Sequence, residues 1–329
     1  MSTLNRRQFT LAASSAALMG TLQPAAAQSS FPTRAVTMLV GYPPGGPTDL
    51  YARALAKHLS DLWKQPVVVE NRAGGSGSIA AVQTLRAAPD GHTLLFTNNA
   101  ANGAFEVLNP KTATYRTMRD FAPVALYGIS PSIMVVRAGL KANDAREFVA
   151  LARANPGKLT YGSSAIGSAP HLASELLQSM TGIKLLHVPF NGAAPVIQAM
   201  LGDQVDMYIG GASTVMGHVR SGKLRALAAV HPTRLQSAPD IPSMAEQGFK
   251  GVEYASWFGL LAPVATPTAL LDQINADCRK VMELPESKTQ LATFGIEYTP
   301  SDRQQFLQVV REEVERSAKV VAEGKITQE

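Results

Sequence analysis

The sequence predicts an α/β protein built on mostly parallel sheet flanked by helices. Short apolar runs alternate with amphipathic stretches along most of the chain, the pattern of βα units. Two stretches, near residues 37–50 and 158–182, share one grammar: strand, tight loop, helix start. About 300 residues follow the amino-terminal segment, which is one large or two medium domains with ample core.

In the first stretch, Met38, Leu39 and Val40 make a buried strand that Gly41 ends. Pro43, Pro44, Gly45, Gly46 and Pro47 forbid regular structure and fix a rigid loop. Thr48 or Asp49 then caps a helix to about Leu62, with Leu50, Ala54, Leu55 and Leu59 at helical spacing. A helix start offers unpaired N–H groups and partial positive charge, so this loop suits an anion; the alternative is a mere connection. In the second stretch, 158–161 is the strand, 162–168 is a hydroxyl-rich loop, and Pro170 opens a helix that Gly182 closes. Two such loops on two α/β units are expected to face each other across a cleft.

The amino terminus, 1–27, reads as a signal peptide. Arg6 and Arg7 precede an uncharged apolar run over 10–22, and Ala25, Ala26 and Ala27 supply small residues, which suggests the twin-arginine route. The run is shorter than the ~20 residues a membrane span needs, so a periplasmic protein beginning near Gln28 is expected. The net charge of +5 includes Arg6 and Arg7, so without these two it is +3. Basic residues are scattered without aromatic interleaving, which leaves nucleic-acid binding unsupported. The single Cys278 excludes an internal disulfide and fits a helix stripe.

After the first helix, 67–70 is a β-branched strand and 79–88 a helix. Gly75, Gly77 and Ala80 between them imitate a dinucleotide fingerprint, but close turn packing explains them better. Strand 93–97 ends at Asn98 and Asn99; beyond a strand's carboxyl end these amides are candidates for the cleft, or simple turn residues. The apolar stretch 121–136, with Gly128, Ser130 and Pro131, reads as two strands or one strand passing between domains. A helix at 145–154, strands at 184–188, 205–209 and 224–230, and helices reaching Leu201 and Arg220 continue the alternation. A proline-rich segment follows, then a returning strand over 256–262, a helix over 268–282, a short strand over 294–298 and a final helix capped by Ser301 or Asp302.

Catalytic patterns fall short. Residues 162–167 nearly match the Gly-x-Ser-x-Gly elbow, but the second glycine comes one place late. An exported serine hydrolase using Ser163 or Ser168 with His171 is the alternative function, though no acid is placed to orient the histidine. Histidine pairs and Cys/Asp clusters with metal spacing are lacking, and no phosphate loop occurs, so neither metal nor cofactor is expected.

The motifs from Val40 through Asp49, from Val69 through Gly74, 88–95, 120–124, 154–163, 187–190, 202–207 and 257–263 resemble, in order, the exported solute-binding receptors of the tripartite tricarboxylate transporter group, the Bug-type receptors. The resemblance implies a two-domain fold of the type II periplasmic-binding-protein kind and a non-enzymatic role. Domain 1 would comprise 31–130 plus 252–329, and domain 2 would be 131–251. A small organic acid would be held through its carboxylate by loop amides and hydroxyls, and passed to two integral membrane subunits. The receptor is read as a monomer. Carried onto this chain, the site would include Tyr42, Pro44, Gly45, Gly46, Thr48 and Asp49 on one side. Ser163, Ser164, Gly167, Ser168 and His171 would face them, with Asn98 and Asn99 at the strand end. Asn191 stands where such receptors often carry a basic residue, and Gly210, after the strand of Asp206, where they often carry an acid or amide. These three are also taken as site positions.

Overall fold

The computed structural model describes residues 31–190, 192–235, 237–324 and 326. The segment read as a signal peptide, 1–27, and Asn191 lie outside the described residues. The first sheet contains β1 (Val36–Val40), β2 (Val67–Asn71), β3 (Thr93–Asn98), β4 (Phe121–Ser130) and, far later in the chain, β10 (Ser256–Pro263). Their order is β2-β1-β3-β10-β4. The first three pair in parallel, and β10 runs against both neighbours. The second sheet repeats the plan. It is built from β5 (Ser132–Arg137), β6 (Thr160–Ser163), β7 (Leu186–Pro189), β8 (Met207–Gly211) and β9 (Leu224–Ala229), in the order β7-β6-β8-β5-β9. Here β5 is the reversed strand. Each sheet is thus mostly parallel with one antiparallel member.

The helices follow from the same βα grammar: α1 (Pro47–Trp63), α2 (Ser78–Leu85), α3 (Phe105–Leu108), α4 (Thr117–Asp120), α5 (Ala145–Ala154), α6 (Ala169–Thr181), α7 (Ala193–Leu201), α8 (Ala212–Arg220), α9 (Thr268–Met282), α10 (Pro285–Thr293) and α11 (Arg303–Gly324). Both faces of each sheet are covered. In β1, Met38 and Val40 pack with α1 and α9, while Leu39 packs on the opposite face with α2 and α11. That is why its apolar run is continuous rather than alternating. In the second sheet, Met207 and Ile209 face α5 and α6, while Tyr208 faces α7 and α8. Cys278 is fully buried on α9.

The structure decides one open sequence expectation and corrects two others. The 121–136 stretch is two strands in different sheets, parted by Pro131, which has no N–H for a ladder. The strand expected over 294–298 reduces to one bridge between Ile129 and Glu297. Pro285 starts helix α10 there, and Gly295 at φ 62° breaks the extended run. Helix α1 starts at Pro47, capped by Gly46 without a side-chain bond, so neither Thr48 nor Asp49 is the cap.

Helix α11 belongs to neither sheet alone. Phe306 and Val310 pack against β1, β3 and β10, whereas Val320 packs with Leu172, Leu176 and Leu177 of α6. The same second core takes in Ala104 and Leu108 from near α3, and Val252 and Tyr254 from the returning segment.

Candidate functional site

A cavity of about 630 Å³ opens between the two sheets. Its walls come from the carboxyl ends of β1, β2 and β3 on one side and of β6, β7 and β8 on the other, where open α/β sheets place ligands. The crossover residues Ser130, Ser132 and Ser256, together with Phe258, form its base. Among the described residues, no Asp, Glu, Lys, Arg or His lines it. The starts of α1, α6, α7 and α8 border it through Pro47 and Thr48, Ala169 and Pro170, Gly192 and Ala193, and Gly211, Ser213 and Thr214.

Of the expected site residues, Tyr42, Thr48, Asn98, Asn99, Ser164 and Ser168 line the cavity. Tyr42 donates from its hydroxyl to Asn98 Oδ1 at 2.8 Å, and Asn98 Nδ2 donates to Thr48 Oγ1 at 3.2 Å. Burial pushes the Tyr42 phenol well above its ordinary value, so it stays protonated as a donor.

Pro44, Gly45, Gly46 and Asp49 lie off the wall, and the reason is local. The Asp49 carboxylate turns back into the loop. It accepts from Gly45 N at 2.9 Å, Arg53 Nε at 3.0 Å and Asn71 Nδ2 at 2.9 Å. Burial opposes its charge, but the Arg53, Gly45 and Asn71 bonds prevail and hold it below the usual carboxylate range. One amide of the loop expected to meet a ligand, that of Gly45, is thus satisfied by the protein's own anion.

The second loop is also more internal than expected. Ser163 is the fully buried last residue of β6, not a loop residue. Its Oγ lies 2.7 Å from His187 Nε2 and 3.1 Å from the Ala165 carbonyl. The His187 ring lies nearly parallel to those of Tyr161 and His171, at centroid distances of 4.7 and 4.2 Å. His171 Nδ1 accepts from Gly167 N at 2.9 Å. Burial, aided by His187, lowers His171 to about 3, and burial lowers His187 to about 4, so both rings are neutral near pH 7. The hydrolase arrangement of Ser163 or Ser168 with His171 is therefore not assembled. His171 is engaged by Gly167, and Ser168 Oγ donates to the Ala165 carbonyl at 2.6 Å. Glu175, the carboxylate beside this stack, bonds Tyr161 and Gln178 instead of a histidine. Gly167 serves packing between the halves: a Cβ there would lie 2.2 Å from Leu108 Cδ1.

Asp206 sits at the far end of the second sheet, accepting from Arg137 Nε at 2.8 Å and Thr160 N at 2.9 Å; it braces the strand starts. Gly210 lies beneath an aromatic ring, since a Cβ would meet Tyr208 Cε1 at 2.1 Å. Its missing side chain makes room for Tyr208, which lines the cavity.

Sequence reasoning missed Tyr51, Tyr208, Phe258, Ser213, Thr214 and the loop 74–77 as wall residues. The rule that selected Asn98, position beyond a strand end, applied equally to 74–77 and to 211–214. The loop 74–77 also packs closely, as expected: a Cβ on Gly41 would lie 2.5 Å from Gly77 Cα. Tyr51, by contrast, reaches the cavity only through the folded position of α1, where its hydroxyl donates to the Phe294 carbonyl at 3.4 Å.

Among the described residues, no helix is long and apolar enough to cross a membrane, and no group of three or more His, Cys, Asp or Glu could hold a metal ion. The profile of the tripartite tricarboxylate transporter family receptor, TctC, matches residues 51–326. Protein BugT of Bordetella pertussis is 34% identical over 300 residues, 89% of this chain and 90% of that protein. The solved structure described as R. palustris Rpa4515 with adipate superposes with a TM-score of 0.82 at 31% identity, covering 90% of this chain and 99% of that one. MatC from Rhodopseudomonas palustris with bound malate gives 0.78 at 31% identity, covering 88% and 100%. Sheet plan, cleft and sequence agree with these relatives along nearly their whole length, and the chain belongs to the tripartite tricarboxylate transporter receptor family, whose members are solute-binding proteins.

Proposed function

We propose that the protein is a periplasmic receptor that captures a small carboxylate-bearing solute in the cleft and delivers it to membrane subunits of a tripartite tricarboxylate-type transporter. The observation that carries this reading is the wall itself: a cavity of about 630 Å³ bordered by helix starts and hydroxyls, without a charged side chain. Such a wall holds an anion by N–H groups and helix dipoles. A hydrogen bond to a charged group contributes about 1.5–3 kcal/mol, more effectively as closure excludes water. The adipate and malate of the two related structures are carboxylates, which supports the same class here. The chain divides for this purpose into 31–130 plus 252–329 and 131–251, and the halves close over the solute.

A ligand-free sample, prepared by unfolding and refolding, tests this in a thermal-shift screen of carboxylic acids followed by calorimetry. At least one acid should raise Tm by mass action, and its primary amide should bind at least tenfold more weakly. A folded sample that no acid stabilises, or an amide bound as tightly as its acid, would refute the reading.

A further inference from the structure

We infer, resting on the carboxylate-receptor reading above, that the cleft is polarised: it takes one carboxylate against the second half and an apolar, aromatic body against the first, and it disfavours a second charge of either sign. Three helices of the second half, α6, α7 and α8, start beyond the carboxyl ends of the neighbouring strands β7, β6 and β8. None of the three carries an acidic residue in its first turn. Their dipoles are therefore uncompensated and act together on one end of the cavity.

The first half differs. Two of its helices start at the cavity: the short α2, behind wall residue Gly77 and without an acid in its first turn, and the long α1, which already has an anion in place, because Asp49 stands in the first turn and takes the Gly45 amide. Pro47 has no N–H, and the Thr48 hydroxyl accepts from Asn98. What this half presents instead is ring surface. The Tyr42 hydroxyl is directed to Asn98 and the Tyr51 hydroxyl to the Phe294 carbonyl, and Phe258 stands edge-on to Tyr51 with centroids 4.8 Å apart. With their hydroxyls engaged, these residues offer a ligand ring faces and edges, which favour aromatic partners. A second carboxylate would be desolvated there without a counter-charge. An ammonium group would fare no better, since no carboxylate lines the wall.

Calorimetry on the ligand-free protein with two matched pairs tests this: hexanoate against adipate, and 3-phenylpropanoate against phenylalanine. Within each pair the monoanion should bind at least tenfold tighter, and 3-phenylpropanoate should bind tighter than hexanoate. In Phe258→Leu the preference for 3-phenylpropanoate over hexanoate should fall at least threefold. Adipate matching hexanoate, or phenylalanine matching 3-phenylpropanoate, would overturn the polarised cleft while leaving the receptor standing. An unchanged preference in Phe258→Leu would overturn the aromatic body. No binding by any of the four acids would overturn this inference, and the receptor reading with it only if the wider screen of carboxylic acids also finds no stabiliser of a sample that unfolds cooperatively.

Discussion

His171 and His187 show how a residue chosen for chemistry can be retained for shape. Their rings fill a stack with Tyr161, and the lone pair of His171 Nδ1 fixes the Gly167 amide at the loop that opens α6. Both folded pKa values lie below the ordinary 6.5, at about 3 and about 4. The unfolded chain therefore binds more protons than the folded one below pH 6.5. Stability contributed by the neutral rings is complete above pH 6.5 and is lost as pH falls toward 4, by at most about 1.4 kcal/mol per pH unit for each histidine. His171→Gln keeps an acceptor for Gly167 and removes one titration. Urea unfolding at pH 6.5, 5.5 and 4.5 should show the variant losing less stability on acidification than the parent; parallel losses would mean that His171 is not held neutral. The depressed carboxylates Asp49, Asp90 and Asp120 contribute stability that is lost below their ordinary range near 3.8, outside most of this window.

At the scale of elements, the loop between β6 and α6 is set by what packs against it from the other half. Gly167 has φ 76°, and Leu108 of α3 and Ala104 occupy the space a side chain would need. Gly167→Ala combines left-handed strain with overpacking and should cost about 2–4 kcal/mol. Leu108→Ala alone should cost about 2–5 kcal/mol, as for a buried leucine. Because Leu108 is the obstacle, the double variant should lose at least about 0.5 kcal/mol less than the two single losses added. Strict additivity in chemical denaturation would show that the Leu108 contact does not govern the loop.

For the whole molecule, the proposed domain of 131–251 does not own its core. Ala104, Leu108, Val252, Tyr254 and Val320 pack into it from outside that span, the last from α11. Helix α11 also anchors in the first half through Phe306 and Val310, so one helix ties the two halves behind the cleft. Tyr254 and Ser317 donate to the buried Glu313 on this helix at 2.5 and 3.1 Å. Burial raises the Glu313 pKa. A fragment of residues 131–251 alone should thus leave Leu172, Leu176 and Leu177 uncovered and give no cooperative melting transition, whereas the intact chain should melt cooperatively. A sharp transition with native-like near-ultraviolet circular dichroism in the fragment would contradict this.

The element types, the βα order and the strand ends were legible because each depends on near neighbours: apolar spacing, proline and glycine punctuation, helix-start chemistry. The family was legible too, since its motifs are contiguous stretches such as those at 40–49 and 154–163. What the linear chain could not decide was which polar groups face the cleft and which face the protein. Asp49, Asp206 and His171 have the right chemistry for a site, but their partners Asn71, Thr160 and Gly167 satisfy them internally. Tyr51, Tyr208 and Phe258 look like core residues in sequence and become cavity wall only when the two sheets are set opposite each other. A buried polar group binds the nearest partner that folding supplies, and nearness across 20 or 100 residues is a property of the tertiary structure alone.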